Sequence, residues 1–236
     1  MKQVSRDSLS FLLFNSMNIV EPYPDSVAPV KCMVATETAF FPGGKGLWLD
    51  DNSMFLPDIL VLGQDFSTEE WYDEMFNGKE KDLDSPTWIN MISLFKQAKI
   101  DLNRCFFSNV FMGLRRTKSM TGKFPGFKDR LFVKRNIDFL SYQIKVIKPK
   151  VIITLGKYAA ELLTSLSQQD LQNWKDWQAL RAANVGFIRN VKFLDHICNC
   201  IALEHPSMRY SNVKRRRYQG LCGNEAEVKM LEDATV

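Results

Sequence analysis

The stretch Pro57-Asp-Ile-Leu-Val-Leu-Gly-Gln-Asp-Phe66 decides the fold. Residues 58–62 form an apolar run of the length of a buried strand, and Gly63 ends it. Gln64 and Asp65 follow at once, at the carboxyl end of that strand. Ligands of open α/β sheets bind at this end, because the loops that leave the strands line a crevice there. Taken alone, Asp65 is more simply a solvated turn residue.

Three further segments have the pattern of buried strands, and helical patterns separate them. Because strands alternate with helices, the sequence predicts an α/β fold, a three-layer α/β/α sandwich with a central, mainly parallel four-stranded sheet. Residues after 224 are polar and resemble a tail. The predicted strands are 58–62, 104–110, 151–155 and 197–203, and the predicted helices are 5–18, 88–99, 129–147, a helix from 157, and 171–181.

The bulk composition is that of a globular protein. The chain has 236 residues, of which 45% are hydrophobic, and this fits one large domain or two small ones. No apolar run is long enough to span a bilayer, and the N-terminus lacks the pattern of a signal peptide. The five cysteines show neither a disulfide framework nor paired zinc-site spacing. We therefore expect a reduced, intracellular protein of the cytoplasm, nucleoid or nucleus, with no membrane partner.

The net charge of +4 is modest, but its distribution is uneven. Arg115-Arg116-Thr117-Lys118 and Lys214-Arg215-Arg216-Arg217 are dense basic runs, and each shortly follows a polar strand end. Basic groups in these places could hold phosphates. The alternative is two solvated surface loops, which is what charge runs usually are.

Three polar motifs stand at the ends of predicted strands: Gly63-Gln64-Asp65, Ser108-Asn109 and His205-Pro206-Ser207. Together they resemble the uracil-DNA glycosylase superfamily. They look like its water-activating motif, its strand-end asparagine that reads the base, and the His-Pro-Ser of its wedge loop. The segment from Val151 to Ala160 is similar to one in a branch of that family that carries an iron–sulfur cluster. The resemblance covers roughly residues 58–217 and implies one domain over residues 1–236.

The resemblance implies a chemistry that suits these residue types. Cleavage of a glycosidic bond builds positive charge on the sugar and negative charge on the departing base. Asp65 would orient water and stabilise the cation, and His205 would donate a hydrogen bond to the base. Asn109 both donates and accepts, so it would pair with uracil and mismatch cytosine. Backbone N–H groups around Gln64 would also contact the base, which must leave the stack to reach them.

The remaining site residues are assigned by position. By its distance from Asp65 along the sequence, Phe76 is the nearest candidate for an aromatic residue that stacks on the base, with Trp88 next. By resemblance, the residues Ser207, Met208, Arg209 and, more weakly, Lys157 contact DNA. Each assignment has a plain alternative: Phe76 and Trp88 as core residues, Asn109 and His205 as turn residues. His196 is more simply a structural or surface residue.

Two departures from the family pattern bear on specificity and on cofactors. In the best-known branch the first motif continues Pro-Tyr, and the tyrosine blocks the methyl group of thymine, whereas Phe66-Ser67 stands here. Exclusion of thymine, and strict uracil specificity, are therefore open. The four cysteines of the cluster-bearing branch are missing, so we expect no iron–sulfur cluster, no metal and no other cofactor.

The sequence thus predicts a monomeric, monofunctional DNA glycosylase of base-excision repair that removes uracil or a related deaminated base from single- or double-stranded DNA. Two alternatives stand beside it. One is a non-catalytic nucleic-acid-binding protein on the same scaffold, which the basic runs support equally well. The other is a small-molecule hydrolase or nucleotide-binding enzyme of another α/β family, which rests on fold analogy alone.

Overall fold

A computed structural model describes residues 6–30, 40–48, 56–76, 82–167 and 169–235. Strands and helices alternate through most of this length. The strands are β1 (Val27–Ala28), β2 (Ile59–Gly63), β3 (Cys105–Asn109), β4 (Leu114–Arg115), β5 (Val151–Leu155), β6 (Phe187–Phe193), β7 (His196–Leu203), β8 (Arg217–Tyr218) and β9 (Leu221–Cys222). The α-helices are α1 (Arg6–Phe14), α2 (Glu69–Phe76), α3 (Pro86–Gln97), α4 (Arg130–Ile147), α5 (Lys157–Leu163), α6 (Trp177–Ala182), α7 (Arg209–Asn212) and α8 (Gly223–Thr235). The 3₁₀ turns are Met17–Val20, Asp82–Asp84, Leu102–Arg104, Pro125–Lys128, Gln172–Lys175, Pro206–Met208 and Val213–Arg215.

The centre of the fold is a five-stranded sheet in the order β3-β2-β5-β7-β6. The first four strands are parallel to one another, and β6 pairs antiparallel with β7 at one edge. The predicted α/β/α sandwich with a mainly parallel sheet is confirmed, but the predicted number of four strands is wrong. The missing strand is β6, which is half-exposed and has a register shift between Ile188 and Val191.

The parallel strands end at one edge of the sheet. Gly63 at the end of β2 lies beside Asn109 at the end of β3, and Leu155 of β5 lies beside Leu203 of β7. Strands β2, β3 and β5 are buried along their whole length, as strands of parallel sheets are. The residues that follow these ends are therefore brought to a common crevice.

Most predicted helices are confirmed, with boundaries that shift by a few residues. Asp129 caps α4, because its carboxylate accepts a hydrogen bond from the Phe132 N–H. The helix predicted over 171–181 is instead a 3₁₀ turn followed by α6, and Asp176 between them caps α6. Within the described residues, no helix is long and apolar enough to cross a membrane.

The polar end of the chain is a helix, so the predicted tail is wrong. Helix α8 buries Ala226, Met230, Leu231 and Ala234, which recur at helical spacing. It also buries the carboxylate of Glu227 completely. The C-terminal residues are thus part of the core.

Cys105, Cys198 and Cys200 are buried thiols that pack as small apolar residues of the core. Burial raises the pKa of the Cys200 thiol well above its ordinary value, so this group stays protonated. Cys222 is exposed. Among the described residues, no group of three or more His, Cys, Asp or Glu side chains could hold a metal ion.

Candidate active site

A single cleft of about 1250 Å³ lies at the carboxyl ends of the parallel strands. Asp65, Asn109 and His205 all line it, although they lie far apart in the sequence. Gln64, Lys157, Ser207 and Met208 line it as well. The fold therefore brings together seven of the predicted site residues.

Asn109 lies against the backbone of β2. A Cβ atom added to Gly63 would stand 2.2 Å from its side-chain oxygen, so only glycine permits this approach. Asn109 is 4% exposed and lines the cleft. The amide is thus available to a group that enters the cleft.

His205 is held in one tautomer by the turn that follows it. Its Nδ1 accepts a hydrogen bond from the Ser207 N–H at 3.3 Å and lies 2.8 Å from the Ser207 hydroxyl. Since Nδ1 is the acceptor, the neutral ring carries its proton on Nε2. Burial lowers the pKa of His205, and the nearby Asp65 charge opposes that shift only partly. At neutral pH the ring is therefore a neutral donor.

The backbone around His205 is fixed by contacts on both sides. Gly156, with φ +88°, would place an added Cβ 3.0 Å from the Cβ of His205, so the β5–α5 turn packs directly on the histidine. From the other side, the Asn90 amide of α3 donates to the Pro206 carbonyl at 3.0 Å. The imidazole is therefore positioned by neighbouring elements and not by its own loop alone.

Asp65 forms a buried ion pair with Arg115. The Arg115 guanidinium donates from Nε to Oδ1 at 2.9 Å and from Nη2 to Oδ2 at 2.7 Å. The Ser67 N–H donates to Oδ1, and the Gln64 amide donates to Oδ2. Two oxygens accept about four hydrogen bonds, so this carboxylate is saturated. The side chains are 5% and 3% exposed for Asp65 and Arg115.

This saturation bears on the role predicted for Asp65. A carboxylate that orients water must offer that water an acceptor position, and protein donors occupy the four here. One of these contacts would have to be exchanged for water. The Gln64 side chain is the one neutral side-chain donor in the set, and its own Oε1 is buried without a partner in the part of the chain that the structure describes.

Arg115 also attaches the loop that follows it. Its Nη1 donates to the Thr121 carbonyl at 3.0 Å, and its Nη2 donates to the Gly122 carbonyl at 2.8 Å. The Gln64 amide donates to the Gly122 carbonyl at 3.0 Å. Asp65 and the segment around Gly122 are thus joined through two side chains. Arg115 itself lies in β4 and is buried.

A second buried charge cluster supports the His205 turn from behind. Glu204 forms a two-point ion pair with Arg181, and its backbone N–H donates to Glu227 of α8 at 2.7 Å. Arg209, on the other side of the turn, pairs with Glu227 and donates to the Asn224 side chain. Arg209 was predicted to contact DNA; its guanidinium is instead buried in this cluster, so the prediction is corrected.

Each of the two basic runs contains both buried and exposed residues. Arg115 and Arg216 are buried, and Arg216 pairs with Glu227 at 3.3 Å. The other members of the runs are exposed. Neither the prediction of two solvated loops nor that of two phosphate-binding runs describes all residues.

Aromatic rings form the wall of the cleft beside Asn109. The side chain of Phe76 lies outside the described residues, so its predicted stacking role stays a prediction. Trp88 is buried and packs edge-on against Phe40 at 5.0 Å, as expected of a core residue. Phe40 also lines the cleft, and its ring edge would be 3.5 Å from a Cβ on Gly63. Phe40 is thus an aromatic residue of the cleft that the sequence did not single out.

The position that carries tyrosine in the best-known branch is Ser67. Its backbone is left-handed, with φ 73°, and its N–H serves Asp65. Phe66 turns inward and packs edge-on against Tyr72 of α2 at 6.3 Å. Both rings line the cleft. Phe66 and Tyr72 of α2 therefore supply aromatic side chains there, whereas the family motif would supply a tyrosine at position 67.

Sequence reasoning missed Arg115, Glu227 and Phe40. Arg115 did carry a signal, because it belongs to a basic run that follows a site strand, but its partner is fifty positions away. Glu227 lies in the segment that was predicted to be a tail, and the helical spacing of its apolar neighbours could have identified α8. His196 is structural, as predicted, and its Nε2 lies 2.6 Å from the Pro149 carbonyl.

Comparison with known proteins agrees with this geometry. A search of curated protein sequences finds no significant match. The family model described as the uracil DNA glycosylase superfamily matches residues 55–226, which include every residue placed in the cleft above except Phe40. This match removes the alternative of an enzyme from another α/β family. The chain belongs to the uracil-DNA glycosylase superfamily.

Proposed function

We propose that this protein is a monofunctional DNA glycosylase that hydrolyses the N-glycosidic bond of uracil, or of a related deaminated base, after that base has left the DNA stack. The observation that carries the proposal is the convergence of the Asn109 amide, the neutral His205 imidazole and the Asp65 carboxylate in one cleft. Each group has a role in cleaving a bond between a sugar and a base.

Asn109 is the base-reading group. Its amide can donate to O4 and accept from N3–H of uracil, an arrangement that cytosine does not match. The Phe40 ring beside Gly63 offers a stacking face next to that amide. The orphaned Oε1 of Gln64 is a further acceptor at the cleft.

His205 stabilises the departing base. With Nδ1 engaged by Ser207, Nε2–H is the free donor, and it can bond to negative charge that develops on the base oxygen. A neutral donor suits this task, because it stabilises the anion without first pairing with the nearby carboxylate. The lowered pKa keeps the ring in that form.

Asp65 stabilises the positive charge that develops on the sugar and holds the attacking water. In the structure its four acceptor positions are filled, so catalysis requires that a donor be displaced. The Gln64 amide is the donor whose loss costs least, because it is uncharged and comes from a side chain. Water would take its place beside Oδ2.

The size of the accepted base depends on Ser67, Phe66 and Tyr72. Ser67 is short and supplies no bulk against a 5-methyl group. Phe66 and Tyr72 reduce the cleft from another side. Thymine and other 5-substituted pyrimidines are therefore substrates to test beside uracil.

One observation favours a second function, a non-catalytic nucleic-acid-binding protein. Arg115 neutralises Asp65 and shares two hydrogen bonds with it, which is the reverse of what a base needs. The exposed lysines and arginines at the mouth would then bind DNA without chemistry.

Base release from uracil-containing single- and double-stranded oligonucleotides separates the two functions. We expect abasic product from the wild type and a loss of about 10²-fold or more in Asp65→Asn, Asn109→Ala and His205→Ala. Product formation that is equal in wild type and variants would refute the assigned roles. DNA binding without product, weakening with salt, would support the non-catalytic function.

A further inference from the structure

The loop 116–123 is the longest exposed segment at the mouth of the cleft. All eight of its residues are exposed, and both of its ends are fixed. At one end Arg115 is buried in its ion pair, and at the other Phe124 stacks on Phe111 at 4.9 Å. The loop is therefore an exposed surface segment whose two ends are anchored in the core.

The composition of the loop suits a polyanion. Arg116, Lys118 and Lys123 supply three positive charges, and the loop has no acidic residue. Met120 is its one large apolar residue, is 50% exposed, and lines the cleft. The loop thus presents one apolar side chain among three cations.

A second exposed methionine lines the same cleft. Met208, next to the His205 turn, is 51% exposed. Lys157, which lines the cleft, and Lys214, six residues after Met208, are exposed as well. Lys214 lies over the ring of Tyr210, which is itself 90% exposed.

We infer that the loop 116–123 is a second DNA-contacting element, in which Met120, like Met208, inserts into the duplex and Lys118 and Lys123 bind the backbone. This inference rests on the proposed function and specifies its substrate as a duplex. Proteins that open a duplex insert apolar side chains between bases and hold the phosphates with cations. Together, Met120 and Met208 can fill the gap left by the flipped base and support its orphaned partner.

The loop is connected to the chemistry. Arg115 and Gln64 bond both to Asp65 and to the loop carbonyls at Thr121 and Gly122. If bound DNA displaces the loop, the Gln64 and Arg115 side chains that bond to it move as well, and their hydrogen bonds to Asp65 weaken. Duplex binding would then let water replace the Gln64 amide beside the Asp65 carboxylate.

The test compares binding and base release on a uracil-containing duplex and on the same strand alone. We expect Met120→Ala to lose about tenfold in affinity for the duplex, and less for the single strand, because only the duplex has an orphaned base to support. The matched control is Ile197→Ala, an exposed apolar residue near the opposite end of β7.

The double variant Lys118→Ala/Lys123→Ala tests the phosphate contacts. The slope of log K against log salt should fall by about two. Its control is Lys192→Ala, an exposed lysine paired with Ile197 at the far end of the sheet.

The inference is overturned if the loop variants bind the duplex as the two controls do, or if wild type does not bind DNA. It is also overturned if Met120→Ala weakens both substrates equally. Wild type that binds the duplex but releases no base would refute the glycosylase function alone, and the loop would still be judged by its variants.

Discussion

The ion pair between Asp65 and Arg115 makes a quantitative prediction about stability. Both side chains are buried, so removing one partner leaves an uncompensated charge, which typically costs about 3–5 kcal/mol. We expect Asp65→Asn and Arg115→Met each to lower the free energy of unfolding by about 3 kcal/mol. The retained donors moderate the loss, because Ser67 and Gln64 still serve the carboxylate when Arg115 is removed.

The double variant gives the coupling between the two groups. Asp65→Asn/Arg115→Met removes both charges, so its loss should be smaller than the sum of the single losses by about 2 kcal/mol. Urea denaturation of the four proteins measures this cycle. The matched control is the exposed pair Lys134–Asp138 on α4, for which we expect a coupling of about 0.5 kcal/mol or less.

Additive single losses below about 1 kcal/mol would refute the reasoning. That result would mean that the pair opens freely in solution and that Asp65 is accessible to water without any exchange. The proposed coupling between the loop 116–123 and the carboxylate would then lose its basis.

Three further predictions concern other parts of the site. The chain has two histidines, so NMR titration can follow His205, whose pKa we expect below about 6.5. Because the unfolded chain then binds a proton that the folded chain does not, the free energy of unfolding should fall as pH is lowered through about 6.5; a pKa above that value would contradict the burial argument. Gly63→Ala should impair base release as strongly as Asn109→Ala, since its Cβ would displace the amide, and wild-type activity would show that the amide moves freely. Glu227→Gln should lower the free energy of unfolding by about 3 kcal/mol, measured in urea, because it leaves Arg209 without its carboxylate; a loss below about 1 kcal/mol would show that this cluster is solvated.

The parallel sheet could be predicted from sequence because its strands are continuous apolar runs that end in glycine or a polar residue. β6 could not be found in this way, because its edge position leaves Arg189 and Asn190 exposed and its bulge breaks the alternation. Helix α8 could have been found, because Ala226, Met230 and Ala234 recur every four residues among polar neighbours. Its overall polar composition, by contrast, is typical of a disordered tail.

The site divides in the same way. Asp65, Asn109 and His205 follow strand ends, and parallel strands bring such positions together whatever their distance in sequence. The burial of Arg115 and Arg209 depends on carboxylates that reach them from distant elements. A basic residue shows in sequence only that it carries charge, and its partner decides whether that charge faces water or the interior.

The three candidate groups are held by different interactions, and this difference predicts which substitutions the site tolerates. Asn109 is held by packing against Gly63, so shape would set how its proposed base-reading amide is placed. Asp65 and the His205 turn are held by two separate arginine–carboxylate assemblies, one through Arg115 and one through Glu227. The family match ends at residue 226, so the second assembly depends on a carboxylate just beyond the shared region. A buried ion pair tolerates the loss of one partner poorly, whereas replacing both partners can be neutral. Substitutions in these assemblies should therefore occur in pairs, while the residues of the exposed loop 116–123 are free to change one at a time and to set which DNA the cleft accepts.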